Sequence, residues 1–171
     1  MRKLTLLLAV AAAALLTPSV INASTIFVAN LVGANEVPPN ASPGSGFGTV
    51  VLNDLMDQIT VDLNWTGLTS PATAAHIHGP AAPGTNAAVI FPFASVPAAT
   101  SGLIQEQTFA ITPTQVGQLQ GGLFYMNMHT ANFPGGEIRG QLALATPEPG
   151  SMALIGFGLT TLLGLVRRRR R

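Results

Sequence analysis

Three histidines carry most of the chemistry that this sequence offers. His76 and His78 stand two residues apart in Ala74-Ala75-His76-Ile77-His78, and His129 follows much later in the chain. In an extended segment, residues two apart leave the same face, so both imidazoles point one way and Ile77 points the other, toward a core. An H-x-H pair joined by a histidine from a second strand is a workable ligand set for copper or zinc. Asn127 lies two residues before His129 and shares its face. The same residues admit a plainer role, because histidines at strand ends also bond to neighbouring loops, and His78 runs straight into Gly79-Pro80. A catalytic histidine of another kind is the third reading.

Arg139 is the second candidate. It lies two residues from Glu137 on one face of a strand, which suggests either a structural pair or, close to the histidines, a cation that attracts an anion. Other catalytic sets are missing. The chain has no G-x-S-x-G elbow, no phosphate-binding glycine loop ending in lysine and no H-E-x-x-H. It has no cysteine, which excludes disulfides, thiolate metal sites and cysteine nucleophiles. No catalytic residue is assigned.

The elements that must position these side chains read as strands. In Gln58 to Trp65, Ile59, Val61, Leu63 and Trp65 alternate with Thr60, Asp62 and Asn64, a period of two with one buried face. Similar runs occupy Thr25 to Val32, Gly46 to Leu52, Ala74 to His78, Ala87 to Phe93, Leu103 to Ile111, Leu123 to His129 and Glu137 to Leu144. Turn-rich pieces such as Pro38-Pro39-Asn40, Ser42-Pro43-Gly44 and Phe133-Pro134-Gly135-Gly136 separate them. About eight such strands predict an all-β fold, a single antiparallel β-sandwich or barrel-like domain. One short helix is expected after Thr112, with threonine as cap and Pro113 in the first position, ending near Gly121-Gly122.

Both ends read as processing segments. Arg2 and Lys3 precede an apolar run from Leu4 to Leu16, closed by Pro18, which predicts a signal peptide over residues 1–23 and its removal by signal peptidase and the secretion machinery. The other end, 146–171, holds Pro147-Glu148-Pro149, an uncharged apolar helix over 152–166 and the tail Arg167 to Arg171. Fifteen residues make a helix of roughly 22 Å, short against a hydrocarbon core of about 30 Å. The arginines would stay on the cytoplasmic side. The fold therefore belongs to residues 24–145.

Setting the ends aside inverts the charge. Seven of the eight basic residues lie in them, leaving Arg139 against Glu36, Asp54, Asp57, Asp62, Glu106 and Glu137, so the overall +1 becomes −5 in the body. An acidic body without a basic face does not bind nucleic acid.

Three families are resembled here. Pro147-Glu148-Pro149 with its apolar span and basic end resembles the PEP-CTERM sorting signal. That likeness implies transient anchoring in the inner membrane, cleavage by an exosortase-type membrane protease, and delivery to the cell surface or an extracellular polysaccharide matrix. The alternative is a C-terminal anchor that is never cut. The opening Leu31-Val32-Gly33-Ala34-Asn35-Glu36-Val37-Pro38-Pro39, the block Ala75 to Pro80 and the block His129 to Gln141 together resemble the CHRD domain, over roughly Ile26 to Leu144. The order of His76, His78, His129 and Gly135-Gly136 through Arg139 is also similar to copper–zinc superoxide dismutase. This chain lacks a fourth histidine, a histidine–aspartate zinc loop and a disulfide. That likeness implies a shared architecture and an altered metal site.

The resulting expectation is an exported envelope or matrix protein with a non-enzymatic β domain that binds polysaccharide, an envelope protein or itself. The alternative is a secreted copper- or zinc-binding protein, redox-active or not, that uses His76, His78 and His129. Carbohydrate recognition by stacking would fall to Trp65 and Tyr125, both in predicted strands.

Overall fold

The computed structural model describes residues 24–145. The expected signal segment 1–23, the sorting triplet 147–149, the apolar helix 152–166 and the arginine tail lie outside the described residues. Nine strands form one antiparallel sheet: β1 (Thr25–Val32), β2 (Ser45–Leu52), β3 (Gln58–Thr66), β4 (Ala72–His78), β5 (Val89–Pro92), β6 (Gly102–Ala110), β7 (Tyr125–Thr130), β8 (Ile138–Gln141) and β9 (Ala143–Leu144). Their order is β5-β4-β7-β8-β1-β2-β3-β6, with β9 added to β1.

The sheet curls until its two edge strands nearly meet. The Ala94 amide, just after β5, donates to Gln107 Oε1 on β6 at 2.8 Å, and Gln107 Nε2 donates back to the Ala94 carbonyl. Phe91 and Phe93 pack on Phe109 across the same seam, with ring centroids 5.3 and 6.1 Å apart. The result is a nearly closed barrel-like sheet rather than two separate layers.

Alternation decides what fills the barrel. Phe27, Ala29 and Leu31 of β1, Val50 and Leu52 of β2, and Ile59, Val61, Leu63 and Trp65 of β3 all point inward and are buried. From the far side come Ile77, Met126, Met128 and Ile138, each fully buried. Gly48 occupies an inward position on β2, and a Cβ there would overlap Met126 Sδ from β7. The glycine thus makes room for a long, adaptable side chain crossing the interior.

Helix α1 (Pro113–Gln120) lies where the cap signal placed it. Thr112 Oγ1 accepts from the Gln115 amide at 3.3 Å, and Gln115 Oε1 accepts from the Thr112 amide at 2.9 Å, a complete capping box. Val116 and Leu119 turn into the core. Replacing Thr112 with alanine should lower stability by about 1 kcal/mol in urea denaturation, with the slope unchanged.

Two expected strands are shorter than their apolar runs. Ala87 to Phe93 pairs only over β5, because the Ala87 amide and carbonyl face the Tyr125 hydroxyl instead. Glu137 to Leu144 divides at Leu142, which is fully buried and whose amide donates to the Phe124 carbonyl at 2.9 Å. A 3-10 turn over Gly33–Asn35 follows β1 and was not foreseen; the Glu36 and Asn40 amides both donate to the Gly33 carbonyl, at 3.1 Å. Among the described residues no helix is long and apolar enough to cross a membrane.

Candidate metal centre

The outer face of β4, β7 and β8 carries the polar residues that alternate with the core. On this ladder His76 lies opposite Asn127, which lies opposite Arg139. One step along, His78 faces Tyr125, which faces Gln141, and His129 pairs with Ala74. Period-two alternation thus gathers all three histidines on one face, since Ile77, Met126, Met128 and Ile138 take the other.

An outer face is ordinarily wet, yet His78, Tyr125, Asn127 and Arg139 are all buried here. Loops cover them. Arg139 Nη1 donates to Asn86 Oδ1 at 2.9 Å and Nη2 to the Thr85 carbonyl at 2.6 Å, which draws the 79–88 loop across the sheet. Gln141 Nε2 holds the start of that loop through the Ala81 carbonyl at 3.0 Å. Asn86 Nδ2 donates to the Val37 carbonyl at 3.0 Å, tying this loop to the one that carries Glu36.

The three histidines come together. One ring nitrogen from each can be chosen so that all lie within 4.8 Å of one another. His76 Nδ1 and His129 Nε2 are 3.1 Å apart, close to the roughly 3.3 Å between two nitrogens bound tetrahedrally to zinc at about 2.0–2.1 Å. His78 Nδ1 faces the Ala87 carbonyl at 3.0 Å, and His129 Nδ1 faces the Pro134 carbonyl at 2.9 Å. A carbonyl only accepts, so in both rings the proton sits on Nδ1 and the neutral ring presents a bare Nε2. Backbone carbonyls orient metal-binding histidines in this way.

The rings of His76 and His78 are also biased toward the neutral form, the one that ligates a metal. Burial, then the neighbouring His129 and His78, lower the pKa of His76 to about 4. Burial lowers His78 as well, helped by His129 and Arg139, against the Ala87 carbonyl and the Asn127 side chain, which favour the charged form. His78 stacks on Tyr125 with planes 6° apart, and the Arg139 guanidinium lies 3.4 Å from the centre of the Tyr125 ring. His76 and His129 are only half-buried and form the side of the cluster open to solvent.

Glu137 and Arg139 do not pair with each other; of the two readings open for Arg139, a structural pair with Glu137 is not what the structure forms. Glu137 precedes β8, and its carboxylate accepts from Ser42 Oγ at 2.6 Å, the Thr69 amide at 2.7 Å and Thr130 Oγ1. Arg139 turns into the loop instead. Its nearby carboxylate is Glu36, a residue that sequence reasoning placed only in an opening motif. Glu36 accepts from Asn127 Nδ2 at 3.1 Å. Burial pushes its pKa up to about 7, against the charge of Arg139 and the hydrogen bonds from Asn127 and the Val37 amide. Clefts of about 440 and 330 Å³ flank Glu36, and neither is lined by the histidines. Trp65 and Tyr125 are buried and offer no stacking platform for a sugar.

Comparison with known proteins agrees with this frame. The model of the CHRD domain matches residues 27–142, and the model of the PEP-CTERM protein-sorting motif matches residues 145–171. No curated protein and no solved structure matches the chain. The likeness to copper–zinc superoxide dismutase therefore rests on the order of its histidines and glycines alone. The sorting motif marks an exported protein that an exosortase-type membrane protease recognises. With more than half its length inside the CHRD model, the chain belongs to the CHRD domain family.

Proposed function

We propose that this exported protein binds one divalent transition-metal ion, zinc or copper, through His76, His78 and His129, and does so outside the cytoplasm after sorting to the surface or the extracellular matrix. The observation that carries the reading is the clustering of three ring nitrogens within 4.8 Å, in which two rings have Nδ1 tied to backbone carbonyls. Closing the cluster around an ion needs ring movements of an ångström or so. His76, whose Nδ1 now lies against His129, has to release that proton or offer Nε2. Polysaccharide or an envelope protein as a further partner of the domain is a separate expectation, carried by the sorting signal rather than by this site.

The test is a titration of the metal-free protein with Zn(II) and Cu(II) by calorimetry. The parent should bind one equivalent, and at a ligand concentration 100 times Kd binding should raise stability by about 2.7 kcal/mol. The variant with His76, His78 and His129 all replaced by alanine should lose both effects. Equal affinity in parent and variant would remove the histidines from the site.

A further inference from the structure

Two buried side-chain atoms among the described residues have no hydrogen-bond partner: His78 Nε2 and Asn127 Oδ1. Both are acceptors. His78 Nε2 is bare because Nδ1 carries the proton toward Ala87 O, and Asn127 presents Oδ1 because its Nδ2 donates to Glu36. The two groups are neighbours, with the amide against the His78 ring. The Asn127 contact favours a charged His78 ring; with the ring neutral, two acceptors remain, and each has given up water without a replacement. A cation between them would satisfy both.

The surroundings fix the amide in place. Asn127 lies directly across the ladder from His76 and two residues from His129 on the same face, so it sits among all three rings. Glu36 holds it from behind. Gly136, at φ +137°, leaves room for that contact, since a Cβ there would overlap both Asn127 Nδ2 and Glu36 Oε1. A carboxylate that orients a ligand from outside the coordination sphere is a recurrent part of metal sites.

From this geometry we infer that Asn127 Oδ1 is the fourth ligand of the ion held by His76, His78 and His129. The inference rests on the three-histidine reading above and specifies its ligand set. Three imidazoles and one amide oxygen suit a borderline divalent ion such as Zn(II) or Co(II). They do not suit Cu(I), which favours sulfur ligands; the chain has no cysteine, and Met126 and Met128 point into the core.

The rival is a hydrogen-bonded site without metal. With Glu36 protonated and the amide turned over, Glu36 would donate to Oδ1 and Nδ2 would donate to His78 Nε2. In that arrangement Asn127 competes with the ion, and its removal tightens binding.

The experiment uses the full chain, purified in detergent and stripped of metal, titrated with Zn(II) by calorimetry and with Co(II) by visible absorption. Asn127→Ala should weaken Zn(II) binding at least 10–100-fold and change the Co(II) spectrum. Asn127→Asp, nearly identical in shape, should bind within a few-fold of the parent with a shifted Co(II) spectrum, because a carboxylate oxygen replaces the amide. Unchanged or tighter binding by Asn127→Ala overturns the inference while leaving the three-histidine site standing. If Asn127→Ala fails to fold, Asn127→Asp decides, and a Co(II) spectrum identical to the parent's overturns it. A parent that binds neither ion overturns the underlying metal reading as well.

Discussion

Glu137→Ala should cost about 3–5 kcal/mol of unfolding free energy, a large share of the roughly 5–15 kcal/mol typical of a single domain. Glu137 is fully buried, and its carboxylate gathers donors from three separate segments: Ser42 Oγ, the Thr69 amide and Thr130 Oγ1. Alanine leaves these donors dry, and each unsatisfied group costs about 1–3 kcal/mol. The loss is also topological, because this carboxylate ties together segments near residues 42, 69 and 130. Glu137→Gln keeps the shape and one acceptor, so it should lose roughly half as much. Chemical denaturation of the two variants checks the order.

The same residue sets a pH signature. Burial pushes the Glu137 carboxyl upward, but the hydrogen bonds from Ser42, Thr130 and Thr69 outweigh it and hold the pKa below the ordinary 4.5. A depressed folded pKa means that the ionised form stabilises the fold above about pH 4.5, and that this contribution disappears as pH falls through the folded value. The stability advantage of the parent over Glu137→Gln should therefore be constant from pH 7 to 5 and shrink below 4.5. A gap that widens on acidification would contradict the assignment.

Arg139→Ala should cost about 3 kcal/mol and also weaken metal binding. The guanidinium is buried, lies on Tyr125 and donates to Asn86 and Thr85. A desolvated cation–π contact is worth about 2 kcal/mol, and hydrogen bonds from a charged donor about 1.5–3 kcal/mol each. Some of this returns when the loop relaxes into water. The functional effect passes through the loop: Arg139 pins Thr85 and Asn86, and the adjacent Ala87 carbonyl orients His78. Loss of such an orienting contact typically costs 10–100-fold in metal affinity. Arg139→Lys retains the charge but not the two-pronged geometry, and should recover part of the stability with little of the affinity. Zinc calorimetry alongside denaturation separates the two effects.

How much of this was legible beforehand follows from the range of each interaction. The same-face placement of His76 and His78 is a matter of strand parity, a local property. The helix after Thr112 is equally local, since its cap and first-turn proline need only their neighbours. Glu137 and Arg139 show the opposite case. Two residues apart, they looked like a pair, yet Glu137 lies just outside β8 and draws donors from as far away as Ser42, 95 positions earlier. Glu36 gave no sign of facing Asn127, because that contact depends on a loop folding over a sheet face.

The sequence by itself determined the all-β class, the C-terminal sorting segment, and which face of which strand each histidine would occupy, because period-two alternation and charge composition act over a few residues. Only the tertiary structure decided that the three histidines share one place, that carbonyls from two loops hold Nδ1 of His78 and His129 and leave Nε2 bare, and that Arg139 lies beneath a covering loop rather than on an open surface. Those outcomes depend on strand order and loop closure, where contacts between distant residues compete and no local pattern records the winner.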